Sequence, residues 1–262
     1  PGQSERGLRP GQSERGLRPG QSERGLRAGH PRAVVLPNPV DLSTIPTVGS
    51  GRLRAQLGLP PDRLLVGMIA SFLPMKGHLD FLRAARAVLD ADPGLDVHFA
   101  LVGIPAREPW RRWLGRALAP LSLSYSGAVA RAVEQLGVGG RVSLVPPTDR
   151  PLEALCDLDV LVRPSLAGDP WGRDVIEALA CARPVVATGE SQVYVREGQT
   201  GFLVPPGQPA ALAERVRQLL ADPQLRQAMG RRGRELVSEL CDVRGYGDRL
   251  LALYARLPRA VR

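Results

Sequence analysis

Long apolar runs are missing from this sequence. No stretch of about eighteen apolar residues occurs, so no helix is expected to cross a membrane. No charged-then-apolar leader opens the chain, and nothing in it marks export. Cysteine is scarce: Cys156, Cys181 and Cys241 are odd in number, far apart and without a CxxC pair. That pattern argues against a disulfide framework or a zinc site and for a reducing cytosol. Aromatic residues make up only 4% of the chain, so Leu, Val and Ala must do most of the filling; an apolar fraction of 44% is ample for a core. Lysine is almost absent. Of 35 basic residues only Lys76 is lysine. A lone lysine has to fall somewhere, so it gains meaning only from the motif around it.

What is present in excess is positive charge. The formal net charge is +9, and each of three N-terminal repeats contributes +1, leaving +6 for the rest. The remaining arginines are scattered among acids instead of being gathered with aromatics, which argues against a nucleic-acid footprint. The repeats are PGQSERGLR three times without variation, over residues 1–27. A nine-residue unit with one leucine and a Pro-Gly has no face to bury, so this segment is expected to be disordered. The chain opens on Pro1 and is expected to be a piece of something longer. The organisation expected is a repeat and linker over 1–32, a Rossmann-like domain over 33–243, and a C-terminal cross-over helix and tail over 244–262.

From Leu64 the pattern alternates. "LLVGMIAS" (64–71), "DVHFALVG" (96–103), "RVSLV" (141–145), "DVLVRPS" (159–165), "PVVAT" (184–188) and "GFLV" (201–204) are short apolar runs that predict buried strands. Between them lie helical spacings over 77–91, 109–137 in two pieces, 151–158, and about 172–182. Two more follow at 208–221 and 223–240, then a last amphipathic helix over 244–257. Continuously apolar strands alternating with helices predict a parallel sheet covered on both faces, an α/β doubly wound Rossmann-like fold. Ligands bind such sheets beyond the carboxyl ends of the strands. The loops after Ser71, Gly103, Val145, Val162 and Thr188 are therefore expected to line one crevice.

Two of those loops run into helices: "SFLPMKGH" (71–78) and "RPSLAGDPWGRD" (163–174). Helix N-termini offer unpaired N–H groups and partial positive charge, which suits phosphate. Lys76 adds a cation, and Gly172 lets the backbone approach closely. Glu177, in the first turns of the second helix, suits the two hydroxyls of a ribose. Asp169, eight residues earlier, reaches further along the same ligand, toward sugar hydroxyls. Read singly, each residue has a plainer role: Glu177 as an acid offsetting the helix dipole, Asp169 as a turn residue, Lys76 as a solvated charge. His78 reads as an exposed helix residue and His98 as a satisfied core group. The cysteines read as small core hydrophobes.

Five segments together carry a resemblance: "VVLPNPVDL" (34–42), "LPMKGH" (73–78), "DVLVRPS" (159–165), "DPWGRDVIEALACARPVVAT" (169–188) and "REGQTGFLVPPG" (196–207). In this order and approximate spacing they resemble the C-terminal half of the family-four nucleotide-sugar glycosyltransferases, of GT-B fold, over about residues 33–257. The resemblance implies that Glu177 binds the ribose and Asp169 contacts the donor sugar. It implies that the amides around Gly172, Arg173 and Asp174 face the distal phosphate and sugar, and that Lys76 pairs with the diphosphate. The base is expected near Val145–Thr148. The family commonly carries an arginine five residues before that lysine; here the position is Ser71, and Arg173 or Arg163 is the candidate substitute. Asp169 replaces a usual glutamate, Pro146 and Pro147 replace a glycine-containing turn, and Gly189, Glu190 and Val193 depart from the family's Gly-Gly-x-x-Glu.

The function implied is donor binding for transfer of a sugar, with retention, from a nucleoside diphosphate to an acceptor the sequence does not name. The nucleotide sugar is a substrate; no metal or other cofactor is expected. Of the catalytic residues only Asp169 is a candidate in this half. The acceptor site and a catalytic histidine are expected in an N-terminal Rossmann-like domain outside this chain, so the chain alone is expected to be inactive. A cytoplasmic protein is expected, with peripheral membrane contact, where it occurs, through that other domain. Two other readings stay open: a non-catalytic nucleotide-binding module or truncated remnant, and a sugar-nucleotide epimerase on the same fold.

Overall fold

Each of the six apolar runs forms a strand: β1 Leu64–Ile69, β2 Val97–Val102, β3 Val142–Val145, β4 Val160–Arg163, β5 Val185–Thr188 and β6 Gly201–Val204. They pair in parallel, in the order β3-β2-β1-β4-β5-β6. That order reverses between β1 and β4, which opens a crevice at the carboxyl ends of the strands. The computed structural model describes residues 36–103 and 125–255, all within one compact unit that begins at Leu36. The PGQSERGLR repeats, the helical reading of 109–124 and Leu257 lie outside the described residues.

The helices are α1 Arg52–Gln56, α2 His78–Ala91, α3 Tyr125–Gln135, α4 Pro151–Asp157, α5 Arg173–Ala180, α6 Pro209–Ala221, α7 Pro223–Cys241 and α8 Val243–Ala255. Successive strand residues point to opposite faces, so each strand feeds two cores. Val66, Met68, Phe99, Leu101, Val160, Val162 and Val186 pack with Phe81, Leu212 and Val216 on one face. Leu65, Ala100, Leu161, Val185 and Ala187 pack with Leu53, Leu155, Ile176 and Leu179 on the other. Full burial of such a side chain contributes about 1.5–3 kcal/mol, so the two apolar faces account for the fold with few aromatic residues.

Helix α5, which matters most for the site, is held from behind by α7. A Cβ on Gly230 would lie 2.1 Å from the Ala182 carbonyl oxygen, and one on Gly233 would lie 2.6 Å from a Leu179 methyl. Bare backbone at both positions is what allows the close approach. Helix α1 has no signature of its own in the sequence. Its first amides are capped from a distance: buried Asp157 accepts from the N–H groups of Gly51 and Leu53, both at 2.7 Å.

Two expectations are corrected. Cys156 and Cys181 form a disulfide, with Cα atoms 5.2 Å apart, joining the end of α4 to the turn after α5. Side-by-side packing of those helices brings together two residues 25 apart in sequence, which spacing alone does not reveal. Cys241 is buried and free. His78 is not exposed: it is 1% accessible, its ring lies 4.7 Å from that of Phe72, and Nδ1 is 3.2 Å from the Tyr125 hydroxyl. As the first residue of α2 it is turned inward by the chain reversal at Gly77. His98 is buried as expected, but only half satisfied: Nε2 meets Ser143 Oγ at 2.9 Å, while Nδ1 has no partner among the described residues. In α8 no residue is buried, and Leu251 and Tyr254 are exposed. No helix among the described residues is long and apolar enough to cross a membrane.

Candidate functional site

The loops after β1, β4 and β5 are stitched to one another. Leu166 N–H donates to the Met75 carbonyl at 2.9 Å, tying the β4 loop to the short turn Pro74–Lys76. Gly77 follows that turn with φ 80°, and a Cβ there would lie 1.8 Å from the Pro164 carbonyl oxygen. Only glycine meets both conditions. The buried Thr188 hydroxyl donates to the Ser165 carbonyl at 2.5 Å, bringing in the β5 loop. Lys76 and the segment holding Asp169 are thereby brought to the same end of the sheet.

Arg163, at the end of β4, organises the next segment. Its side chain is 9% exposed. Nε donates to the Asp169 carbonyl at 2.8 Å, and Nη2 to Asp169 Oδ2 at 3.0 Å. Nη1 donates to both carboxylate oxygens of Asp174, at 2.6 and 2.8 Å. One guanidinium thus fixes both ends of the Asp169–Asp174 stretch and compensates two acids. Gly172 sits against this cluster: a Cβ would lie 2.6 Å from Asp174 Oδ1 and 2.8 Å from Arg163 Nη1. Its backbone is extended, so glycine is needed here for space and not for conformation. Asp169 keeps a 41% exposed side chain beside its ion pair.

A cleft of about 750 Å³ opens where the sheet order reverses. Ser71 and Phe72 line it from the β1 loop, Gly103 from the β2 loop, Pro147 and Thr148 from the β3 loop, and Arg173, Asp174 and Glu177 from α5. Glu177 is 15% exposed and accepts from Arg173 Nε at 2.7 Å; the Arg173 side chain itself is 85% exposed. A second cavity of about 480 Å³ adjoins along the same two residues and is walled by Asn38, Asp41 and Thr44. The "NPVD" segment therefore reaches the site, as part of its wall.

Of the residues singled out from sequence, Ser71, Thr148, Arg173, Asp174 and Glu177 face one cleft. Lys76, Asp169 and Gly172 stand in the neighbouring loops and do not line it. Val145 is buried at the end of β3 and lines a smaller pocket together with Thr148. Arg163 is not a free substitute cation, since its donors are committed to Asp169 and Asp174. The signal for that role was present: an arginine inside an apolar strand is a buried charge, and a buried charge needs acids close by. Among the described residues no three His, Cys, Asp or Glu side chains gather in a way that could hold a metal ion.

Comparison with known proteins agrees with this architecture. Residues 50–236 match the family model for glycosyl transferases, group 1. A D-inositol 3-phosphate glycosyltransferase of Streptomyces bingchenggensis is 34% identical over 193 residues, covering 71% of this chain and 39% of that protein. The chain thus spans about two-fifths of the length of the curated relatives it matches. The solved sucrose-phosphate synthase of Thermosynechococcus elongatus superposes with a TM-score of 0.70 at 28% identity, over 92% of this chain and 57% of that one. The C-terminal domain of a glycosyl transferase group 1 family protein from Francisella tularensis gives 0.61 at 20% identity, over 78% of this chain and 99% of that one. The chain therefore belongs to the glycosyl transferases of group 1 and corresponds to the C-terminal half of a two-domain GT-B enzyme.

Proposed function

We propose that the cleft between the β1 and β3 loops and α5 binds a nucleoside-diphosphate sugar, and that the chain is the donor half of a sugar transferase. The observation that carries this is the placement of Glu177. Its carboxylate stands on the wall of a cleft of about 750 Å³, at the point where the sheet order reverses, and Thr148 lines the same cleft. A carboxylate accepts two hydrogen bonds from a vicinal diol, which is the ribose end of the ligand. The amides that open α5 then face the diphosphate, and Asp169 lies further out on the loop, toward the sugar. Asp174 in that first helical turn would repel phosphate, but Arg163 compensates it through two hydrogen bonds.

In this reading the chain's share of catalysis is electrostatic. Fixed donors stabilise charge as it develops on the leaving diphosphate. Transfer is to an acceptor held by an N-terminal domain outside this chain, with retention of configuration and without a resident metal. Glu177→Ala is expected to weaken nucleoside-diphosphate binding by more than about tenfold, read by titration calorimetry with UDP, GDP and ADP. An unchanged dissociation constant contradicts the assignment of Glu177 to the ribose. One observation favours a second reading, a nucleotide-binding module without transfer activity: the uncharged Ser71 on the cleft wall. A sugar-transfer assay on a protein carrying both domains separates the two.

A further inference from the structure

The cleft has an unusual charge inventory for a diphosphate site. Ser71 on its wall is uncharged, Lys76 does not line it, and Arg163 is buried with its donors spent on Asp169 and Asp174. Among the described residues that line the cleft, Arg173 is the one cation. Its side chain is 85% exposed and stands between the two adjoining cavities. It is occupied on one side only, through Nε at 2.7 Å from Glu177 Oε1. That oxygen belongs to the carboxylate assigned to the ribose.

We propose that Arg173 is a diphosphate-binding cation of this cleft, standing in for the arginine missing at Ser71, and that it exchanges partners when the donor enters. The guanidinium rests on Glu177. With donor bound it turns to the diphosphate, and the ribose hydroxyls take its place on the carboxylate. The tie is a single contact from an 85% exposed guanidinium to an acid four residues on along the helix, so turning Arg173 away breaks one hydrogen bond. A guanidinium on a diphosphate makes charge-assisted, bidentate contacts, which favour the exchanged arrangement. The same side chain thus fills the role left open at Ser71 and compensates Glu177. This inference rests on the nucleotide-sugar reading above and assigns the cation within it.

The test is calorimetric titration of the full chain with UDP, GDP and ADP at two ionic strengths, for the wild type, Arg173→Met and the double variant Ser71→Arg/Arg173→Met. The wild type is expected to bind at least one of the three. Arg173→Met is expected to bind that nucleotide about 10- to 100-fold more weakly, with a shallower salt dependence, because one phosphate contact is gone. The double variant is expected to regain most of the loss. If Arg173→Met is too weak to titrate, the double variant decides: restored binding supports the exchange, and none overturns it. Binding by Arg173→Met within about twofold of wild type, or weaker with an unchanged salt slope, overturns the proposal and leaves the nucleotide-sugar reading standing. A wild type that binds none of the three diphosphates removes that reading and this proposal with it.

Discussion

At the scale of single residues, the site is a matter of which charges are already spoken for. The pairing of Asp169 and Glu177 as candidates comes from the family resemblance and not from spacing alone. That the arginine within the β4 run needs acids is legible in sequence; which acids it takes is not. Arg163 reaches Asp169 and Asp174 because the β4 loop folds back over it, and Arg173 reaches Glu177 because both lie on one helix face. His78 is a plainer failure of local reasoning. Polar and flanked by Gly77, it reads as a surface residue, yet its ring packs against both Phe72 and Tyr125, which also touch each other. Burial, and after it the charge of Lys76, pulls its pKa down from 6.5 to about 4. Between those values the unfolded chain takes up a proton that the folded chain refuses. Stability is therefore full above pH 6.5 and falls as the pH drops toward 4. Chemical denaturation at pH 7 and pH 5 should show a loss on the order of 2 kcal/mol from this group. His78→Phe, which keeps the ring packing, should reduce that loss. Part of the slope should persist, because burial also lowers the pKa of His98. An identical loss in both proteins contradicts the assignment.

At the scale of elements, all six strands were legible, since each is a short apolar run bounded by turn residues and needs no tertiary partner to be recognised. Helix α1 was not, because its cap is Asp157, about a hundred residues away. The Cys156–Cys181 link was hidden for a related reason: it depends on how α4 lies beside α5. The register between the β1 and β4 loops depends on one glycine. Gly77 has left-handed backbone and lies against Pro164. Gly77→Ala meets a conformational cost of about 1–2 kcal/mol and a carbonyl that must move. A fall of at least 2 kcal/mol in unfolding free energy is therefore expected from urea titration. An unchanged midpoint and slope contradict the view that this close approach sets the loop.

At the scale of the whole molecule, the described residues form one doubly wound sheet whose crevice is lined from several loops and from helices α4 and α5. The family resemblance, carried by five segments, agrees with the observed strand order and with the family match over 50–236. The residues singled out from sequence divide between the cleft's wall and its flanks. Lys76, Asp169 and Gly172 flank the cleft, whereas Ser71, Thr148, Arg173, Asp174 and Glu177 form its wall. Helix α8 ends the described chain with Leu251 and Tyr254 exposed, an apolar surface separate from the cleft. The central claim is that the cleft beside α5 holds a nucleoside diphosphate. Amide hydrogen exchange of the full chain, with and without saturating UDP, GDP or ADP, tests it most directly. The account predicts that at least one of the three slows exchange together in residues 71–77, 147–151 and 172–177. Protection by none of them, or protection confined to other parts of the sheet, contradicts it.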